Sequence, residues 1–330
     1  MLAYILQRFL YMVVLLFLLC ITAFVIIQLP PGDYLTTYIT RLQTSGEKVD
    51  ESEIAALKHQ YGLDLPMYRQ FLRWFGGILT GQFGTSLQWS RPVTEVISDR
   101  LLFTLLLNLF SLIFTYAVAI GIGVYSATNQ YSLADYLVTT LGFIGLATPG
   151  FLLALVIMVF FHTFFGISVG GLFSREFEHL PWSWPKFVDM LKHLPIPIVV
   201  IALGQTAGLI RVMRGVLLDE LGKQYVITAR TKGLSQRKVL FKYPVRVAIN
   251  PVVSTVGWVL PELVSGGTIV AIVLSLPTVG PLLFTALMSE DMYLAGTLVL
   301  FLGFLTIVGT FLSDMLLMVV DPRIRFERTR

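Results

Sequence analysis

LLFTLLLNLFSLIFTYAVAIGIGVYSA, residues 101–127, continues without a charged side chain for longer than a helix needs to cross the roughly 30 Å hydrocarbon core of a bilayer. Further apolar runs of membrane-crossing character lie at 9–29, 137–165, 193–210, 251–276 and 293–320. Composition agrees, with 55% hydrophobic and 13% charged residues and a mean hydropathy of +0.77. Those values exclude a soluble domain. The sequence therefore predicts an all-α, polytopic membrane protein with six transmembrane helices.

The run at 9–29 is too long for the apolar core of a secretory signal, and no A-x-A-like site closes it, so it is predicted to be a span. Cys20 is the one cysteine of the chain, which excludes an intrachain disulfide, and the bulky Leu19 before it argues against a lipoprotein site.

Positive charge sets the orientation, because loops rich in Lys and Arg stay in the cytoplasm. Residues 211–246 carry nine such side chains, Arg211, Arg214, Lys223, Arg230, Lys232, Arg237, Lys238, Lys242 and Arg246, against the two acids Asp219 and Glu220. Arg323, Arg325, Arg328 and Arg330 follow the last run, whereas residues 30–100 hold seven basic and eight acidic residues. Both termini are thereby placed in the cytoplasm. Four segments follow: an N-terminal span (1–29), an extracytoplasmic cap (30–100), a five-helix core (101–320) containing a cytoplasmic loop at 216–246, and a basic tail (321–330).

Within the cap, Asp50 and Glu53 form a capping-box pair for a helix that Gly62 can end. Pro66 precedes a second helix whose Tyr68, Phe71, Leu72, Phe75 and Leu79 form an apolar stripe, with Trp74 beside it, suited to the membrane interface. Gly81, Phe83, Gly84, Thr85 and Ser86 make a flexible turn whose exposure marks it as a candidate docking surface, and Pro92 opens the next helix.

The cytoplasmic loop holds QYVITARTKGL, residues 224–234. Tyr225, Thr228, Ala229 and Lys232 recur at i, i+3, i+4 and i+7, giving one helical face an aromatic knob, two small side chains and a cation. Gly233 is placed to end that helix in the left-handed conformation, and Ser235 to cap a second one through Lys238 and Leu240. Anchorage on anionic lipid accounts for the charge. It does not account for the small-residue face or the glycine break.

Ionisable residues inside spans are costly and mark function or structural pairing. Glu262, followed by Ser265 and Gly266, is a candidate for the solute path, with Gly267 adding to a stretch expected to loosen or kink the helix. Asp314 is expected to pair with Arg211 or Arg214. His162 reads as a hydrogen-bonded bundle histidine, and Gly204 and Gly208 as a GxxxG packing pair within the bundle or with a partner subunit.

Enzyme readings fail on context. Gly166-Ile167-Ser168-Val169-Gly170 has the G-x-S-x-G form and His162 lies one turn earlier, yet no strand precedes it. Gly222-Lys223 lacks the upstream glycine of a phosphate loop, and no His, Cys or carboxylate cluster has metal-ligand spacing. The chain is predicted to be no enzyme, with no catalytic residue, metal or cofactor of its own.

A resemblance covers nearly the whole chain. Arg8-Phe9-Leu10-Tyr11, Leu29-Pro30-Pro31-Gly32-Asp33, Tyr61-Gly62-Leu63-Asp64-Leu65-Pro66, Phe83-Gly84-Thr85-Ser86-Leu87 and Arg91-Pro92-Val93 occur in the order of one transporter family. The stretch Tyr225 to Ser235 is similar to its EAA coupling segment. Leu276-Pro277, Asp314 and Asp321-Pro322-Arg323-Ile324-Arg325 match its last third. The sequence resembles B-type permease subunits of the dipeptide/oligopeptide/nickel class of binding-protein-dependent ABC importers.

The resemblance implies a type I importer permease fold in a bacterial or archaeal cytoplasmic membrane. It implies a homologous second permease, two ATP-binding subunits that hold ATP and Mg, and an extracytoplasmic solute-binding protein as partners; lipid surrounds the chain and no nucleic acid is involved. Tyr225, Thr228, Ala229, Arg230, Lys232, Gly233 and Leu234 become the ATPase-coupling residues, and the turn at 81–86 the binding-protein contact. The cargo implied is peptide, with oligosaccharides or nickel as alternatives. Tyr243-Pro244 replaces the usual His-Ala, Ala271 a glutamate and Thr278 a glycine, and the stretch 165–192 with Trp182-Ser183-Trp184-Pro185 is long. A secondary transporter or channel is the competing class, but neither an internal repeat nor a ring of selective groups is present.

Overall fold

The structure, a computed structural model, describes residues 2–28, 64–86, 88–167, 169–178 and 180–320. Among them the regular elements are all helical: α1 (Leu2–Gln28), α2 (Met67–Leu79), α3 (Val93–Thr128), α4 (Leu133–Ala147), α5 (Gly150–Phe165), α6 (Trp184–His193), α7 (Pro195–Leu221), α8 (Gln224–Thr231), α9 (Gln236–Lys242), α10 (Pro244–Ser254), α11 (Val256–Val273), α12 (Val279–Met288) and α13 (Met292–Val320). One isolated antiparallel bridge joins Thr85 and Pro92. The capping pair Asp50/Glu53, Gly62, the Leu29–Asp33 motif and the tail at 321–330 lie outside the described residues.

Among the described residues four helical stretches are long and apolar enough to span: Ile5–Val25, Val93–Thr128, Trp184–Leu221 and Met292–Leu312. The run at 137–165 is not a straight span as expected. α4 and α5 together are long and apolar enough to span but are bent by 109°. Pro149 explains the break, because a residue before proline is pushed out of the helical region, and Thr148 sits at φ −95°, ψ 122°. The run at 251–276 is also divided. Its helix restarts after Thr255, leaving α11 with 18 residues, roughly 27 Å by helical rise. Ser265–Gly267 do not interrupt it; the break falls one element earlier.

The chain separates into two compact units, one centred on Thr104–Pro277 and including the chain from Val308, the other formed by Gln7–Phe103 and Thr278–Ile307. In the first, α7 is the hub, packing on α4, α5, α10 and α11. Its Leu209, Met213 and Leu217 share a buried cluster with Ala119, Val124, Ala248 and Val252. Gly123 permits this approach, since a Cβ there would lie 2.7 Å from the Met213 side chain. Small residues at crossings are the expected device where lipid removes the hydrophobic drive for helices to associate. Gly204 and Gly208 are not such a crossing inside the unit: a Cβ at either meets nothing within 4 Å.

Between α5 and α7 the chain is held by buried polar groups. Lys186 donates from Nζ to the carbonyls of Leu180 (2.6 Å) and Glu178 (3.2 Å) and lies 4.8 Å from the Phe173 ring centroid. The Asp189 carboxylate accepts the Ser174 N–H and hydroxyl, both at 2.7 Å. Gly166 closes α5 with φ +65°, so the G-x-S-x-G match is a helix C-cap on an apolar helix; Ser168 lies outside the described residues. His162 is exposed in the last turn of α5 and not enclosed in a bundle.

In the second unit, α2 packs through Phe71, Trp74, Phe75 and Ile78 against Phe24, Ala23 and Leu300. The Phe71 and Phe24 ring centroids are 5.3 Å apart, edge to face. Phe71 and Phe75 of the predicted stripe, with Trp74, face this cluster, whereas Tyr68, Leu72 and Leu79 are exposed. A separate cluster joins Val93, Val96 and Ile97 of α3 to Leu282 and Ala286 of α12 and Leu294 and Leu298 of α13.

Candidate functional site

α7 ends at Gly222, and Lys223, at φ −72° and ψ 147°, starts α8. α8 is rich in β-branched residues, so propensity alone would not hold its eight residues helical. Packing does. Val226 and Ala229 are buried on one face against Val239 of α9, with Leu234 and Tyr243 alongside. Lys232 closes the helix by donating its N–H to Thr228 O at 3.2 Å, and Gly233 follows at φ +75° with its N–H 3.0 Å from Arg230 O. Ser235 occupies the position before α9, but its side chain makes no capping hydrogen bond.

The predicted coupling residues differ in exposure. Ala229 points inward and is buried in the α8–α9 contact. Tyr225 is 38% exposed; its hydroxyl donates to a carboxylate oxygen of Glu220, and partial burial, reinforced by that bond, pushes its pKa up to about 12. Thr228, Arg230, Lys232 and Gly233 are exposed, together with Arg237, Lys238 and Lys242. Ile227 and Phe241 are exposed as well, at 44% and 60%. The sequence reasoning missed these two; the signal was their place one residue off the inward Val226 and two off Val239.

The connection from α3 to α4 carries a second missed group. Ser132 caps α4, accepting the Asp135 N–H at 3.2 Å, while Asp135 accepts the Tyr131 N–H at 3.0 Å. Arg214 of α7 donates to both Asp135 oxygens, from Nε at 3.0 Å and Nη2 at 2.9 Å. Thus Arg214, expected to reach Asp314, is committed to Asp135, and Arg211 lies 5.5 Å from the Phe143 ring centroid. The Ser-x-x-Asp capping pattern at 132–135 was the legible sign.

Glu262 lies seven residues into α11 and lines a cavity of about 140 Å³ beside the α4–α5 break, with Thr148, Gln205 and Gly204. Ser265 and Gly266 continue the same helix one turn on.

The turn at 81–86 is positioned by a different carboxylate. Asp291, fully buried before α13, accepts the Ser86 hydroxyl, the Gln88 N–H at 3.1 Å and the Leu294 N–H at 3.2 Å. Gly84 has φ +84°, and a Cβ there would lie 2.7 Å from the Tyr293 ring. Ser86 is buried, contrary to the exposure expected of it; Gly81, Gly84 and Thr85 are exposed and Phe83 is half-buried. Leu87 lies outside the described residues.

A helical chain with these spans and a pinned basic helix pair matches, over residues 119–326, the family described as the binding-protein-dependent transport system inner membrane component. The chain belongs to this family. Its N-terminal companion model, the binding-protein-dependent transport system membrane component N-terminus, matches residues 1–108. Similar proteins include the oligopeptide transport system permease protein AppB of Bacillus subtilis, 34% identical over 325 residues that cover 98% of this chain and 99% of the relative. The inner membrane ABC transporter permease protein YejB of Escherichia coli O157:H7 is 33% identical over 290 residues, 86% of this chain and 78% of the relative. The peptidoglycan transport system permease protein YejB of Agrobacterium fabrum is 32% identical over 285 residues, 85% and 78%. The chain is thus a multi-pass membrane component of a transport system.

Proposed function

We propose that this chain is the permease subunit of an ATP-driven importer of peptides, forming half of the path and taking force from a separate ATPase through residues 224–240. The observation that carries the coupling role is the α8–Gly233–α9 unit, pinned inside by Val226, Ala229 and Val239 and presenting Arg230, Lys232, Lys238, Ile227 and Phe241 outward. Such a surface suits an acid-rimmed apolar groove. Each state of that groove must hold the helices differently, or no work passes to the spans.

In this reading six spans place both termini and α8–α9 in the cytoplasm of a bacterial or archaeal cell, and the outer turn at 81–85 meets a solute-binding protein. A homologous permease completes the path, in a type I arrangement. ATP and Mg are held by two partner subunits. Glu262, Ser265 and Gly266 are assigned to the route of the solute.

Peptide cargo rests on the names carried by full-length relatives. The relative named for peptidoglycan transport gives a second cargo, cell-wall fragments, a specific ground. Reconstitution in vesicles decides the matter. Uptake of a labelled tripeptide is expected only with ATP, both permeases, the ATPases and the binding protein; flux through this chain alone overturns the assignment.

A further inference from the structure

Glu262 is an exposed carboxylate on an otherwise apolar helix of a membrane-spanning chain. A charge at that level persists only beside water or an opposite charge. The cavity that it lines, about 140 Å³, has room for several waters, and Gln205 and Thr148 add a carboxamide and a hydroxyl to its wall. Among the described lining residues none is cationic and Glu262 is the one titratable group. The α4 C-terminus and the α5 N-terminus both open at the Thr148–Gly150 break. Their opposing partial charges of about one half offset each other, so the carboxylate sets the sign of the site. An acceptor-rich, negative recess of this size is complementary to a compact donor cation with three N–H groups.

Resting on the peptide reading above, we propose that this recess is a subsite for the protonated amino group of the travelling peptide. Glu262 takes the ammonium, and Gln205 Oε1 and the Thr148 hydroxyl take its remaining protons. The rest of the wall is glycine and aliphatic side chains, Leu153, Leu203 and Val270 among them, and offers the amine no further polar side chain.

The test uses the whole transporter in vesicles, with its binding protein and ATPases, and trialanine as cargo. Glu262→Gln is compared with wild type over a pH series, because the peptide amine loses its proton around pH 8. Well below that pH the variant is expected to import trialanine roughly tenfold more slowly, the loss of one charge-assisted hydrogen bond. Well above it the two rates converge. Effects of pH on the ATPase and the binding protein cancel in the ratio. A variant-to-wild-type ratio that stays constant across the series, whether near one or uniformly low, overturns the subsite and assigns Glu262 to structure. Absence of trialanine uptake by the wild type overturns the cargo reading, and this inference with it.

Discussion

Arg214 of α7 grips both oxygens of Asp135, the third residue of α4, at 3.0 and 2.9 Å. The carboxylate also serves the turn before α4 through Tyr131 N–H and accepts the Ser126 hydroxyl from the end of α3. One guanidinium thus ties α3 and α4 to the helix that runs directly into α8.

Breaking one partner leaves a desolvated charge, at a cost of about 3–5 kcal/mol. Asp135→Asn and Arg214→Met should each lower the melting temperature of the assembled transporter. The double substitution should cost less than the sum of the two, because neither charge is then stranded. Additive losses would show that the residues do not act as a pair.

Gly233 lies at φ +75° with open space around the position of a Cβ. Gly233→Ala therefore meets only backbone strain, about 1–2 kcal/mol, while proline cannot take the conformation at all and removes the N–H bonded to Arg230 O. Alanine should leave slowed uptake, and proline a transporter that inserts and assembles but does not import. Normal uptake with proline would remove α8–α9 from the coupling route.

Much of this architecture was legible, and the failures have a common cause. Gly233, the α8–break–α9 order and the existence of helix α2 were readable because each depends on local backbone rules. The inward turn of Ala229, the division of the α2 stripe between a packed and an exposed side and the burial of Ser86 were not, because each is settled by a side chain distant in sequence: Val239, Phe24 and Asp291. The bend between α4 and α5 had a local signal in Ala-Thr-Pro-Gly at 147–150, outweighed in the reading by continuous apolarity. In a chain this hydrophobic, periodicity is a weaker guide than proline.

Tyr225 gives a prediction in pH. Its phenol is stabilised in the protonated form, since burial and the bond to Glu220 raise its pKa to about 12 against about 10 for a free tyrosine. A group raised in the folded state contributes fully below its unfolded value and loses that contribution as pH climbs through the folded one. The tyrosinate absorbance difference between wild type and Tyr225→Phe should hence titrate near 12, and uptake near neutral pH should not acquire a new pH dependence in the variant. A difference titrating near 10 would mean that the contact with Glu220 does not form.

The outer turn supplies the last test. Asp291 takes three donors, from Ser86, Gln88 and Leu294, so it both caps α13 and fixes the loop at 84–88. Gly84 must then pass over the Tyr293 ring, where a Cβ would intrude at 2.7 Å. Asp291→Ala leaves the buried Leu294 N–H and Ser86 hydroxyl without their acceptor, each worth about 1–3 kcal/mol, and frees the part-buried Gln88 N–H. It should reduce stability and binding-protein-stimulated ATP hydrolysis together. Gly84→Ala keeps all three hydrogen bonds and displaces the loop alone, so its melting temperature should fall less while the stimulation is still lost. If stimulation by the binding protein survives Gly84→Ala, the 81–85 turn is not where that protein docks, and Asp291 acts on stability only.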